Sequence, residues 1–168
     1  MHYYLIGFMG SGKTYWAKTL LKELGIASVD LDAVIVQQQA KTITEIFSNN
    51  GEGYFRDVEA ATLRKLHFNQ KTIISTGGGS PCYNNNMAWM NANGVTIWLN
   101  EATETIVERL QYAQEKRPLI VGKSKAELEQ FVITKLTERE AFYNMAQHII
   151  LPSQMHIDTF KNIIYPHV

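Results

Sequence analysis

Apolar positions along the chain follow two periods. His2–Ile6, Ile26–Asp32, Thr72–Thr76, Val95–Leu99 and His148–Leu151 are short, nearly continuous apolar or β-branched runs. Such runs suit strands buried on both faces. Between them, Trp16, Ala17, Leu20, Leu21 and Leu24 recur at helical spacing, and so do Phe55, Val58, Thr62, Leu63 and Leu66. Thr42-Ile43-Thr44-Glu45 matches a capping box that opens a short helix, which Asn49-Asn50-Gly51 then breaks. Met87–Met90 reads as helix packing. Further helices are predicted from about Ala102 to Tyr112, from Lys125 to Met145 and from Gln154 onward. Glu115–Lys123 has no clear periodicity and holds a proline and a glycine, so it reads as a mobile loop in which Ile120–Lys123 offers no second strong anchor. Strands alternating with helices predict an α/β fold whose parallel sheet is covered on both faces.

In such sheets ligands bind beyond the carboxyl ends of the strands, and three polar signals fall there. The first is Gly7-Phe8-Met9-Gly10-Ser11-Gly12-Lys13-Thr14, a G-x-x-x-x-G-K-[ST] phosphate-binding loop between the first strand and the first helix. The backbone N–H groups around Gly10, Ser11 and Gly12 form an anion-binding concavity, and the helix adds the positive end of its dipole. Lys13 reaches the β- and γ-phosphates, and the Thr14 hydroxyl suits Mg²⁺. The second is the pair Asp30 and Asp32, which share one face if the strand extends through them. Paired carboxylates there can hold Mg²⁺ or orient and deprotonate an acceptor hydroxyl; a helix cap is the plainer alternative. The third is Gly77-Gly78-Gly79, where missing side chains let backbone N–H groups approach a ligand, or which simply makes a turn.

Composition narrows the class. The 168 residues suit one domain; 45% hydrophobic and 19% charged residues are globular values. Sixteen basic residues balance sixteen acidic ones, giving no electrostatic argument for nucleic acid. No apolar run is long enough to cross a membrane, and the first strand begins too near Met1 for a signal or transit peptide. The lone Cys82 excludes an intramolecular disulfide and fits a reducing, cytoplasmic setting; its simplest role is as a small buried hydrophobe. The five histidines lack paired spacing for zinc.

Three arginines ask for anions. Arg139 lies on a stripe with Val132, Leu136 and Tyr143, so its guanidinium must meet an anion, form a structural ion pair or snorkel to solvent. Arg56 precedes Glu59 by three residues, close enough on a helix for the carboxylate to orient it. The two arginines can together grip a carboxylate. Arg117, in the irregular segment, can carry charge onto phosphates when a lid closes, or can be solvated.

As an ordered set these residues resemble the shikimate kinase family. The resemblance runs through Gly7–Thr14, Asp30-Leu31-Asp32, Ile43–Phe47, Phe55–Glu59, Ser75–Gly79, Lys116–Leu119 and Arg139–Tyr143. It implies a three-layer α/β/α P-loop kinase with a five-stranded parallel sheet and a mobile lid. A single domain, 1–168, would carry substrate-binding helices at about 32–62 and the lid at about 112–124. The implied reaction passes the ATP γ-phosphoryl group to the 3-hydroxyl of shikimate in aromatic amino acid biosynthesis, with Mg²⁺. By the same resemblance, Lys13 and Arg117 stabilise the transferring group, and Thr14 and Asp30 hold the metal. Asp32 acts on the substrate hydroxyls, with Arg56 and Arg139 on the carboxylate and Glu59 orienting Arg56. Gly77, Gly78 and Gly79 meet the ring, with backbone amides from Gly78 and Gly79, and Arg109 and Pro152 flank adenine. The expected partners are therefore shikimate and ATP, with no nucleic acid or membrane, and the expected state is a monomer. A gluconate-type kinase and a non-catalytic nucleotide switch are the alternatives. The switch needs no substrate arginines, and no guanine-selective N-K-x-D string is present.

Overall fold

A computed structural model describes residues 1–113 and 119–166. Five parallel strands, β1 (His2–Ile6), β2 (Ala27–Asp30), β3 (Thr72–Ser75), β4 (Val95–Leu99) and β5 (His148–Ile150), form one sheet in the order β2-β3-β1-β4-β5. The described helices are α1 (Lys13–Leu24), α2 (Leu31–Gln39), α3 (Ile43–Lys65), α4 (Asn86–Asn93), α5 (Thr103–Tyr112), α6 (Lys125–Tyr143) and α7 (Ile157–Ile164). None of them is long and apolar enough to cross a membrane.

Side-chain alternation along β1 builds two cores. Tyr4 and Ile6 point to one face, where they join Leu31, Ile35, Phe55, Leu63 and Tyr143 from α2, α3 and α6. Tyr3 and Leu5 point to the other, against Ala17 and Leu20 of α1 and Phe160 and Ile164 of α7. The expected α/β/α layering is present.

Several boundaries differ from the sequence reading. β2 ends at Asp30, not Asp32, because the Asp30 carboxylate accepts the Ala33 N–H (3.2 Å) and starts α2. The plainer reading of an aspartate as a helix cap therefore holds for Asp30. Asp32 sits in the first turn of α2, so the two carboxylates do not share a strand face. α3 opens with the expected capping box of Thr42 and Glu45, and it bends where expected, at Gly51 (φ 83°, ψ 170°), which continues into a second helical stretch. α6 stops at Tyr143. The last helix begins only at Ile157, after a short 3₁₀ turn at Pro152–Gln154.

A third apolar cluster lies above the sheet's carboxyl edge. Phe8 from the phosphate loop packs there with Ile106, Val107 and Leu110 of α5 and Leu128 and Val132 of α6. Ile120 joins them, fully buried. That corrects the expectation that Ile120–Lys123 lacks an anchor: Leu119, Ile120 and Val121 are equally apolar and show no period, yet only Ile120 is taken into the pocket that α5 and α6 form, with Leu119 and Val121 left exposed.

Candidate active site

Strand register brings the functional segments together. Asp30 pairs with Ser75 across β2 and β3, and Leu5 pairs with Ser75 across β1 and β3. The chain just after each of these strands therefore emerges at one edge. Thr76 ties that edge down, since its backbone N–H and its hydroxyl both donate to the Leu5 carbonyl (3.2 and 3.1 Å).

Residues 7–14 wrap from β1 into α1. Gly12 at the N-cap has φ 96°, a left-handed conformation that disfavours a side chain, and no side chain caps the helix. The first-turn N–H groups and the helix dipole thus point outward as an anion site. Lys13 is nearly buried, and its ammonium donates to the carbonyls of Gly7 (2.7 Å) and Phe8 (2.8 Å). Ser11 is buried too, with a hydroxyl that has no hydrogen-bond partner. A cavity of about 310 Å³ opens beside the loop, lined by Gly10, Gly12, Lys13 and Thr14 on one side and by Asp30, Asp32, Gly77 and Gly78 on the other.

Asp32 is the charged centre of this cavity. Its Oδ1 is buried without a hydrogen-bond partner. Burial first, and then the neighbouring charges of Asp30 and Glu59, push its carboxyl up to about 6; Lys13 and Arg56 pull the other way. A carboxylate with an unpartnered oxygen and a raised affinity for protons is suited to accepting one from a hydroxyl. For Mg²⁺, the Thr14 hydroxyl and the Asp30 carboxylate both line the cavity. No group of three or more His, Cys, Asp or Glu able to hold a metal occurs among the described residues. Magnesium is usually held by one or two protein oxygens together with phosphates and water, so this sparse donor set fits it.

The arginines sit on the far side of the glycine triplet and are held very differently. Arg56 Nη1 meets Glu59 (2.9 Å), Nη2 meets Glu52 (3.0 Å), and the guanidinium lies over the Tyr83 ring (4.2 Å). Arg139 has no carboxylate partner among the described residues. Its guanidinium lies near the Phe8 ring (5.4 Å), and its charge favours the ionised form of the neighbouring Tyr143. Tyr143 is fully buried and itself donates to the Gly78 carbonyl (2.6 Å); burial holds its phenol far above the ordinary value. Cys82 is half-buried in the same region. Burial pushes its thiol up while Arg139 and Arg56 oppose the shift.

The triplet explains why these groups can converge. None of the three glycines has positive φ; what they provide is space. A Cβ on Gly77 would lie 3.2 Å from Glu59 Oε1 and 3.3 Å from Asp32 Oδ1. On Gly78 it would crowd the Met9 N–H nitrogen (3.2 Å) and Arg139 (3.4 Å), and on Gly79 it would collide with Arg56 Nη2 (2.6 Å).

A second cavity of about 620 Å³ adjoins the first through Gly12, Tyr15 and Arg109, and Pro152 and Met155 close its far side. Arg109 is fixed by Glu101 (3.0 Å) and by the Gly10 carbonyl (2.9 Å). Arg109 and Pro152 thus share one cavity next to the phosphate loop. Sequence reasoning misses Tyr15 and Trp16 as walls of this cavity, because helical spacing places Trp16 on the apolar face of α1, where it also packs. Their place within one turn of Thr14 is the available signal. It also misses Glu101, Ser80 and Tyr83, which no motif marks. Arg117 lies outside the described residues.

A protein-family model described as shikimate kinase matches residues 9–164. The shikimate kinase of Azobacteroides pseudotrichonymphae is 40% identical over 163 residues, covering 96% of each chain. The crystal structure of shikimate kinase from Bacteroides thetaiotaomicron superposes with a TM-score of 0.89 at 34% identity, covering 98% of each chain. Shikimate kinase from Acinetobacter baumannii, determined in complex with shikimate, gives a TM-score of 0.86 at 27% identity over 99% of this chain and 94% of that one.

Proposed function

Because the chain belongs to the shikimate kinase family, we propose that it transfers the γ-phosphoryl group of ATP to the 3-hydroxyl of shikimate, giving shikimate 3-phosphate and ADP. The observation that carries this reading is the arrangement around Asp32. The Asp32 side chain lines a cavity with the phosphate loop on one side, its Oδ1 buried without a partner against Gly77, and the arginines lie beyond Gly78 and Gly79. A nucleotide site meets a site for an anionic, hydroxylated acceptor, and a proton acceptor sits between them.

In this reading the phosphates lie on the first-turn N–H groups of α1 and the loop amides of Gly10, Ser11 and Gly12. Lys13 exchanges its loop carbonyls for the β- and γ-oxygens. Arg109 and Pro152 flank the adenine in the adjoining cavity. Thr14 and Asp30 hold Mg²⁺, which supplies charge neutralisation on the phosphates. Arg56 and Arg139 take the shikimate carboxylate, and the Gly78 and Gly79 amides meet the ring. Gly77 leaves room for Asp32 beside the reacting hydroxyl. The hydroxyl oxygen attacks the γ-phosphorus as the bond to the ADP oxygen breaks, and its proton passes to the Asp32 carboxylate. Positioning and charge stabilisation account for most of the catalysis, as is general for phosphoryl transfer. Arg117 adds positive charge to the phosphates from a lid at about 112–124. Glu59 orients Arg56.

The chain works as one domain and as a monomer, in a reducing, cytoplasmic setting that its single cysteine supports. A coupled ADP-release assay with Mg-ATP tests the activity, comparing shikimate, gluconate and nucleoside monophosphates. Release with shikimate alone is expected; release only with another acceptor would discard the substrate assignment.

A further inference from the structure

Arg56 is held from behind by more than its two carboxylates. Glu59 is fully buried; its Oε2 takes Arg56 Nη1 (2.9 Å), and its Oε1 accepts the hydroxyl of Ser80, also fully buried. The Ser80 carbonyl accepts the side-chain amide of Asn86 (2.9 Å), a third fully buried polar residue. Asn86 Oδ1 in turn accepts from Arg64 Nη1 (2.8 Å), and Arg64 Nη2 donates to the Asn84 carbonyl (2.7 Å). The Asn84 side chain then donates to the backbone carbonyl of Arg56 itself (2.9 Å). The chain of contacts closes into a ring that rivets α3 to the turn 80–86.

We propose that Ser80 and Asn86 are positioning residues for the acceptor's carboxylate. Acting through Glu59, they fix the Arg56 guanidinium in one orientation, over Tyr83 and beside Gly79, before the substrate arrives. The proposal rests on the reading that Arg56 binds the shikimate carboxylate.

The physical reason lies in the two oxygens of Glu59. A buried carboxylate needs a donor on each side, and an oxygen left unpaired there is costly. With Ser80 on Oε1, only Oε2 is offered to Arg56, so Glu59 takes Nη1 alone and leaves Nη2 to Glu52. Without Ser80, the carboxylate turns to recruit more of the guanidinium and draws the fork away from the substrate. Asn86 acts one step further back by holding the Ser80 backbone. None of these contacts involves the phosphate loop, so nucleotide binding is unaffected.

Steady-state kinetics with shikimate and ATP varied separately test this, using Ser80→Ala, Asn86→Asp, Arg56→Ala and the Ser80→Ala/Arg56→Ala double variant. Ser80→Ala is expected to raise KM for shikimate about five- to twentyfold, in line with loss of a hydrogen bond to a buried charge, with KM for ATP within about twofold. Asn86→Asp, which sets an acceptor against the Ser80 carbonyl while keeping the Arg64 pair, should act the same way and carries the test if Ser80→Ala does not fold. Adding Ser80→Ala to Arg56→Ala should change KM by less than about twofold, because the effect passes through Arg56. Parallel rises in both KM values, or the full Ser80 effect persisting without Arg56, would show general loosening and overturn the proposal. An unchanged shikimate KM in Arg56→Ala would remove the carboxylate reading and the proposal with it. A raised KM in Arg56→Ala with none in Ser80→Ala would remove the proposal alone.

Discussion

Under the proposed roles, Asp32 and Lys13 are single residues that trade stability for chemistry. With its carboxyl raised to about 6, Asp32 resists ionisation in the folded state more than in the unfolded chain. The contribution of Asp32 to stability is therefore fully present below pH about 4 and is lost as pH rises through about 6. Asp32→Asn removes the ionisation and should raise stability at pH 8 by up to about 3 kcal/mol while abolishing turnover. Thermal melts at pH 8 and pH 5 check this: the gain must shrink at the lower pH. The same group predicts that kcat/KM falls as pH drops through about 6. Lys13→Ala should lower phosphotransfer by at least about 10²-fold with circular dichroism unchanged; near-normal turnover would remove Lys13 from the mechanism. The motif made Lys13 legible, since spacing alone specifies it. The environment of Asp32 was not legible, because the sequence suggested a strand and the Asp30 cap made a helix.

At the scale of elements, the strand Thr72–Ser75 and the glycines after it form the hinge of the site's geometry. A Gly79→Ala change would place a methyl 2.6 Å from Arg56 Nη2. It should raise KM for shikimate at least about tenfold while ATP binding, followed by titration of a fluorescent nucleotide, stays within about twofold. Equal losses for both ligands would mean that the turn itself had collapsed. Helix and strand periods were readable because each depends on local side-chain spacing, and the Gly51 bend in α3 was readable from Asn49-Asn50-Gly51. The Ile120 anchor and the Ser80–Glu59 contact were not, because each joins residues whose partners are set by packing rather than by period.

Across the molecule, the proposed reading divides the site into a nucleotide half on α1, α5 and the Pro152 turn and an acceptor half on α2, α3, the 80–86 turn and α6. Trp16 lines the first half alone. Its replacement by Phe should remove the change in tryptophan emission on adding ADP but leave any change caused by shikimate; persistence of the ADP signal would place the nucleotide elsewhere. The convergence of three motifs at one sheet edge was legible from their positions after strands. The strand order was not, since β1 sits between β3 and β4 through crossovers that no local pattern encodes. The glycine strip at 77–79 has a final consequence for how this protein can vary under selection. Under the proposed roles each position adjoins a different group, Asp32 and Glu59 at Gly77, Arg139 at Gly78 and Arg56 at Gly79, so a side chain at any of them crowds the acceptor's binding groups. An inhibitor that anchors to that backbone would press on a surface with almost no mutational escape. Resistant variants selected against it should carry their changes on the neighbouring rim, at Cys82 or Tyr83, and leave the strip intact.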